Sequence, residues 1–300
     1  MIDQESRRNF LKVLGASGVA AAAASSDAAS DESETMQLPP VNLGDVNPRK
    51  VLLEELTRKE VREWIASGEL KAAIIPTGST EQHNEHMALS MDTEAAKVIS
   101  QLTALRLYPH VVVTTPMPFG ICPFFMKKQG TITIREEIFT GLVHDICASM
   151  KTHGIEAILI INGHGGNSRA LRSSVPGFAE ELGIPIEAYS HWDSIPRDQR
   201  HDFVETGSVP GHADEFETSF ALAAFPEKIR RVTYNEAEQY TWEPDKEDLD
   251  RVGYVDAKWF SREFDKTSFE ESLLATAEKG EHFIVHAVKY FSDKLQTMMG

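Results

Sequence analysis

Four short runs of nearly uninterrupted apolar, β-branched residues punctuate the middle of the chain, at 72–76, 110–115, 157–161 and 184–189. Between them lie longer segments, 93–107, 136–153 and 168–182, whose apolar residues recur at helical spacing. Short strands that are apolar on both sides, separated by helices, predict a parallel sheet covered on both faces. The expected fold class is α/β, a three-layer α/β/α sandwich with a mainly parallel central sheet and right-handed crossovers. Such sheets bind ligands beyond the carboxyl ends of their strands.

The polar residues that interrupt the pattern fall at those ends. The first strand runs into Thr77-Gly78-Ser79-Thr80-Glu81-Gln82-His83, and the third into Asn162-Gly163-His164-Gly165-Gly166-Asn167. The fourth runs into His191-Trp192-Asp193. Glu81 and His83 are one residue apart, so in an extended loop both side chains point one way and Gln82 points away. His86 follows, and Asp92 stands at the start of the next helix. Further on, His212 with Glu215 and Glu217 opens another helix. Imidazole and carboxylate donors without thiolate suit Zn²⁺, Mn²⁺ or Fe²⁺. Each piece also has a plainer reading: Asp92 as a helix N-cap, His164-Gly165-Gly166-Asn167 as an anion nest, Glu215 and Glu217 as solvated first-turn carboxylates.

Charge and composition narrow the function classes. With 30 Lys+Arg against 46 Asp+Glu the net charge is −16, which disfavours sequence-independent nucleic-acid binding. Hydrophobic residues at 41% and charged residues at 25% are ordinary for a globular domain and exclude a multi-span membrane protein. Cys122 and Cys147 cannot form a disulfide scaffold or a Cys-rich zinc site, and their pairing with each other stays open. At the N-terminus, Ser6-Arg7-Arg8-Asn9-Phe10-Leu11-Lys12 precedes a weakly apolar stretch too short to span a bilayer. Residues 1–24 read as a twin-arginine signal peptide recognised by the twin-arginine translocation machinery, leaving no stable membrane span after cleavage. Residues 25–48 read as an acidic, Pro-interrupted linker, and 49–300 as the folded domain. The expected location is periplasmic or extracellular.

The run Pro76–His83 with Asp92, the Asn162–Asn167 segment and the His212…Glu217-Thr218-Ser219 segment together resemble, in order and spacing, the signatures of the creatininase (creatinine amidohydrolase) family. The resemblance implies a three-layer α/β fold, one or two divalent metal ions per subunit, and assembly as a homo-oligomer, typically a hexamer. It implies Glu81, His83, Asp92 and His164 as metal ligands, with Asp92 bridging two ions. Creatininase carries a further ligand Glu where this chain has Gly166, so the chain resembles a Gly-Gly branch in which Glu217 replaces it. One ion would then take Glu81, Asp92 and His164, and the other His83, Asp92 and Glu217. That branch includes formamide hydrolases, a mycofactocin-precursor peptidase and a cyclic keto-inositol hydrolase. His212 matches the family's acid/base histidine, with Glu215 as second choice. Trp192 matches a pocket aromatic, Asn167 is expected to bind substrate, and His86 to support the ligands by hydrogen bonding. Asn84-Glu85 and Asp214 depart from the family's usual glycine and proline positions beside the site.

The resulting expectation is a metal-dependent amidohydrolase cleaving a C–N bond of a small cyclic amide or formamide by activated water. The alternatives are C–C hydrolysis of a cyclic ketone on the same ligands, or an exported anion-binding protein using Arg169 and Arg172.

Overall fold

The computed structural model describes residues 48–235 and 240–300; the signal and most of the linker expected at 1–48 lie outside the described residues. The sheet has four parallel strands: β1 (Ala72–Thr77), β2 (Val111–Val113), β3 (Ala157–Asn162) and β4 (Ile186–Ser190), in the order β2-β1-β3-β4. The expected α/β architecture is present, and β1 and β3 are buried along their whole length. Burying a side chain such as Ile74 or Ile158 contributes about 1.5–3 kcal/mol, so the central pair anchors the domain. β2 is shorter than its apolar run because it lies at the sheet edge between Pro109 and Pro116, neither of which can donate to a ladder. Pro185 likewise delays β4 to Ile186.

Helices cover both faces. On one side Ala73 and Ile75 of β1 and Ile158 and Ile160 of β3 pack against α3 (Glu136–Thr152) and α4 (Ser168–Leu182) through Phe139, Val143, Ala170 and Val175. On the other lie α2 (Met91–Arg106), α5 (Glu215–Ala224) and the long α8 (Ala277–Met299). The first α-helix among the described residues, α1 (Arg58–Ala66), starts at a capping box: Thr57 Oγ1 accepts from Glu60 N–H while Glu60 Oε2 accepts from Thr57 N–H. Among the described residues two further α-helices, α6 (Lys246–Arg251) and α7 (Arg262–Ser272), precede α8. Among the described residues no helix is long and apolar enough to cross a membrane.

Register turns the strand ends into a platform. Thr77, Asn162 and Ser190 lie side by side as the last residues of β1, β3 and β4. Asn162 ties them together: its Oδ1 accepts from Thr77 Oγ1 at 3.0 Å, and its Nδ2 donates to Ser190 Oγ at 3.1 Å and to the His164 carbonyl. One residue further, Gly163 meets the start of α2. A Cβ at 163 would lie 2.0 Å from the Asp92 carbonyl oxygen. Only glycine lets the β3 end and the α2 start approach so closely, and that approach delivers Asp92 to the strand ends. Asp92 therefore occupies the first turn of α2, and Ser90 stands at the N-cap position.

Candidate metal centre

Five side chains from four segments converge beyond the sheet, all essentially buried: Glu81 and His83 from the loop after β1, Asp92 from α2, His164 from the turn after β3, and Glu217 from α5. Asp92 stands at the centre. Its Oδ1 lies 3.1 Å from His83 Nε2 and its Oδ2 lies 3.1 Å from His164 Nδ1. Glu217 Oε2 is 3.5 Å from His83 Nε2, and Glu81 Oε2 is 3.0 Å from His164 Nδ1.

The backs of both imidazoles are anchored. His83 Nδ1–H donates to the Glu81 carbonyl at 3.2 Å, and His164 Nε2–H donates to the Ile121 carbonyl at 3.0 Å. Each ring therefore turns its other nitrogen, bare of a backbone partner, toward Asp92. A carbonyl on one ring nitrogen fixes the tautomer that offers the other as a metal ligand. His83 Nε2, His164 Nδ1 and Asp92 Oδ2 are buried without a hydrogen-bond partner, a cost that a cation among them would remove. The donor set and the orphaned atoms fit divalent metal.

The electrostatics point the same way. Burial by itself would lower the His83 pKa, but Asp92 and Glu217 outweigh it and raise it to about 10. His164 also rises well above the ordinary value, burial being overcome by Glu81 and Asp92. Burial lifts Glu217 to about 8 against the pull of His83, with Asp92 and Asp214 adding repulsion. Burial would also raise Asp92, yet His83 and His164 lower it. Protons thus do in the metal-free protein what cations would do. Stability from His83 is fully present below its ordinary pKa of 6.5 and is lost as pH rises through about 10. Glu217, raised from 4.5 to about 8, has the same sign. The metal-stripped protein is therefore expected to lose stability steadily between pH 6.5 and 10, and saturating Zn²⁺ or Mn²⁺ to abolish most of that slope by displacing the protons. Urea midpoints across this range, with and without metal, check it; a flat metal-free profile would contradict it.

The other expected site residues divide. His212 lines the cavity, its Nδ1 lying 3.6 Å from Glu81 Oε1. Trp192 lines it too. His86 sits behind the ligands, its Nε2 3.0 Å from Thr218 Oγ1 on α5. Glu215 is not in the cavity: its carboxylate accepts from the Glu205 and Thr206 N–H groups and pairs with Lys279 at 2.6 Å. It lies two residues from Glu217, about 200° around the helix, and so faces the opposite way. Asn167 is also outside the cavity lining. Fully buried, it pins two loops, accepting from Ile121 N–H and donating to the Gly78 carbonyl. Arg169 is exposed and pairs with Glu136, away from the carboxylate-lined cavity. At Gly166 a Cβ would lie 2.0 Å from the Ile121 oxygen and 2.4 Å from His164 Nε2, so the turn has no room for a side chain.

The departures beside the site have structural explanations. Asn84 takes a φ of 51°, a left-handed conformation that asparagine tolerates almost as glycine does, and its side chain donates to the Asp265 carbonyl. Asp214 caps α5, accepting from the N–H groups of Phe216 and Glu217.

Three features were not visible in the motifs. Cys122 is buried and its thiol donates to Glu81 Oε2 at 2.7 Å, while Cys147 is on the core-facing side of α3; both cysteines are free. The position of Cys122 just beyond the β2 end was the available signal. Gln82 does turn away from Glu81 and His83, but its amide reaches His212. Asn84 N–H donates to Gln82 Oε1, so Gln82 Nε2 is left to donate to His212 Nε2 at 2.7 Å. His212 is thereby fixed as the tautomer with its proton on Nδ1, facing Glu81. Finally, Phe124, Phe125, Trp259 and Phe264 wall a cavity of about 490 Å³ above the carboxylates.

A family model described as "Creatininase: Creatinine amidohydrolase" matches residues 54–295. A 3-dehydro-scyllo-inosose hydrolase of Thermotoga maritima is 29% identical over 185 residues, covering 60% of this chain and 58% of that enzyme, so the match spans less than two thirds of its length. The creatinine amidohydrolase of Pseudomonas putida is 26% identical over 200 residues, covering 60% of this chain and 74% of its own. A solved structure described as "Creatininase Mn" shares the fold with a TM-score of 0.64 at 24% identity, covering 82% of this chain and 98% of that one.

Proposed function

The chain belongs to the creatininase family of metal-dependent hydrolases, and from that membership we propose that it cleaves a C–N bond of a small cyclic amide or formamide with the aid of one or two divalent ions. The observation that carries this reading is the division of Asp92, one oxygen toward His83 and the other toward His164. Glu81, Asp92 and His164 would hold one ion, and His83, Asp92 and Glu217 the other; Zn²⁺, Mn²⁺ and Fe²⁺ all suit these donors. When bound, such an ion supplies Lewis acidity that polarises a carbonyl and makes water nucleophilic near neutral pH.

The chain's own residues do the rest. The Ala213 N–H, donating to Glu217 Oε2 at 2.6 Å, aims that carboxylate at His83. The Cys122 thiol, donating to Glu81 Oε2, holds that carboxylate from one side. His212 presents the Nδ1–H that Gln82 fixes, on the side where charge builds at the reacting carbonyl or the leaving nitrogen. Burial, then the neighbouring His83, keeps the His212 pKa well below the ordinary histidine value, so the imidazole works in its neutral form. Trp192 contributes an apolar wall, and the aromatic residues opposite it keep bulk water out.

A second reading is favoured by the Thermotoga relative: hydrolysis of a keto-inositol, breaking a C–C bond on the same ligands. An anion-binding role has little support, because the cavity is lined by carboxylates and Arg169 is turned away from it. The reading also includes export by the twin-arginine route, resting on Arg7-Arg8 and the apolar stretch after them, and homo-oligomeric assembly.

Metal-loaded protein assayed against formamides, cyclic amides and keto-inositols tests the proposal, alongside elemental analysis. The expected result is at least one tightly held divalent ion per chain and turnover of an amide. Turnover of keto-inositols alone would replace the amidohydrolase reading with the second, and absence of bound metal after careful loading would remove both.

A further inference from the structure

The outer part of the cavity is built differently from its floor. A collar of aromatic rings runs from one cavity histidine to another: Phe124 stacks near His164 at 6.1 Å between ring centroids, Trp259 lies 5.6 Å from Phe124, Phe264 5.4 Å from Trp259, and Phe264 6.4 Å from His212. Phe125 lies beneath, fully buried and stacked on His212 at 4.5 Å. Trp259 remains 53% exposed, a large indole standing at the rim of a cavity. The volume of about 490 Å³ falls in the range of sites that enclose a ring-bearing small molecule and far exceeds what a bare formamide needs.

The collar is held firmly in place. Lys128, in the loop that carries Phe124 and Phe125, forms an ion pair at 2.6 Å with Asp265 of α7, whose side chain is fully buried. Tyr240 donates to the same carboxylate, and the Lys128 ammonium lies 3.9 Å from the Tyr240 ring centroid. This fastening joins the β2 loop to the segment bearing Trp259 and Phe264, and it commits the Lys128 charge.

Among the described residues the cavity lining carries carboxylates but no ammonium or guanidinium group. Glu271 lies on the same lining as Trp259 and, seven residues along α7, on the same helix face as Phe264. Glu81, Asp92 and Glu217 belong to the floor, where cations would offset them, and Asp214 is buried next to Glu217 as the cap of α5; Glu271 is outside that set.

We propose that this collar is a selectivity subsite for a planar, apolar ring on the substrate, and that Glu271 beside it disfavours a negative charge on the distal end of that ring. The proposal rests on the amide-hydrolase reading for where the reacting group sits, and it names the substrate class: aryl or heteroaryl amides whose distal end is neutral or cationic. Planar rings gain contact with the aromatic walls. A distal cation also gains from the indole face and from Glu271, whereas a distal carboxylate meets the repulsion of Glu271. Specificity of this kind comes as much from what is repelled as from what is held.

Three probes with the same reacting group separate the effects: formanilide, its 4-carboxy derivative and its 4-trimethylammonium derivative. Their binding to the Zn²⁺-loaded full chain is read by calorimetry, without need of turnover. The neutral and cationic probes are expected to bind about tenfold or more tighter than the anionic one. Trp259→Ala should weaken formanilide by about tenfold, and Glu271→Gln should narrow the charge preference to about threefold or less, with bound metal unchanged in both. Equal or tighter binding of the carboxy derivative would overturn the charge selection, and Trp259→Ala binding formanilide as well as the parent would overturn the subsite. Formanilide binding without turnover of any amide would leave the subsite standing and sink the amide-hydrolase reading. Amide turnover with no formanilide binding would do the reverse.

Discussion

Replacing Asp92 with asparagine is expected to reduce turnover of the metal-loaded protein by about 10³-fold or more and to lower its metal content by at least one ion per chain. The reason lies in how the carboxylate is divided. Each oxygen faces a different imidazole nitrogen at 3.1 Å, and each of those nitrogens is bare because the opposite side of its ring is tied to a carbonyl. Asparagine has nearly the same shape but only one acceptor oxygen, so one half of the site would face an amide N–H that cannot ligate. The variant should fold. In the metal-free protein Asp92 is one of the charges that hold protons on His83 and His164, so its neutralisation should also flatten the pH dependence of metal-free stability. Elemental analysis and urea midpoints measured on the same preparation separate loss of ligation from loss of fold. Unchanged metal content together with unchanged activity would show that Asp92 holds no ion.

The second large effect is expected at His212. His212→Ala should reduce kcat by about 10²–10³-fold, the cost of losing one well-placed donor at a developing charge, while metal content stays the same. Gln82 offers a finer test, because it touches neither the metal-facing atoms nor the cavity floor. In Gln82→Glu the amide that donates to His212 Nε2 becomes a carboxylate that accepts, which favours a proton on that nitrogen and stabilises the imidazolium. The sign follows: the His212 pKa rises from its depressed position, and the acid limb of the kcat profile moves to higher pH. Nitrogen chemical shifts of His212 should report the change of tautomer directly. A variant with the parent profile and the parent shifts would show that Gln82 does not set the state of His212.

Both predictions depend on elements whose legibility in the sequence was uneven. The sheet was legible because fully buried parallel strands need unbroken apolar runs, and β1 and β3 have them. Asn162 and His164 were legible because they follow the end of such a run, where the chain must turn and polar atoms can meet solvent or ligand. Glu81 and His83 were legible through their alternation. Glu215 and Glu217 were not separable, since both are first-turn acids of one helix; only the docking of α5 sends Glu217 to His83 and Glu215 to Lys279. Asn167 had the right neighbours for substrate binding, yet its amide fills the gap between the β2 loop and Gly78. Cys122, Phe124 and Trp259 carried no motif, because their relation to the site is made by loop packing, which brings Cys122 to Glu81 across 41 residues and Trp259 to Phe124 across more than a hundred.

The sequence by itself determined the layered α/β architecture, the strands whose ends carry chemistry, and the imidazole and carboxylate character of the donors. These follow from local periodicity and residue type, which act over a few neighbours. Tertiary structure alone decided that Asp92 is shared between two histidines, that Gln82 sets the proton on His212, and that an aromatic collar with an acidic neighbour stands over them. Those outcomes depend on close approaches between distant segments, such as the 2.0 Å clearance that admits only glycine at 163 beside Asp92, and no spacing along the chain encodes such an approach on its own.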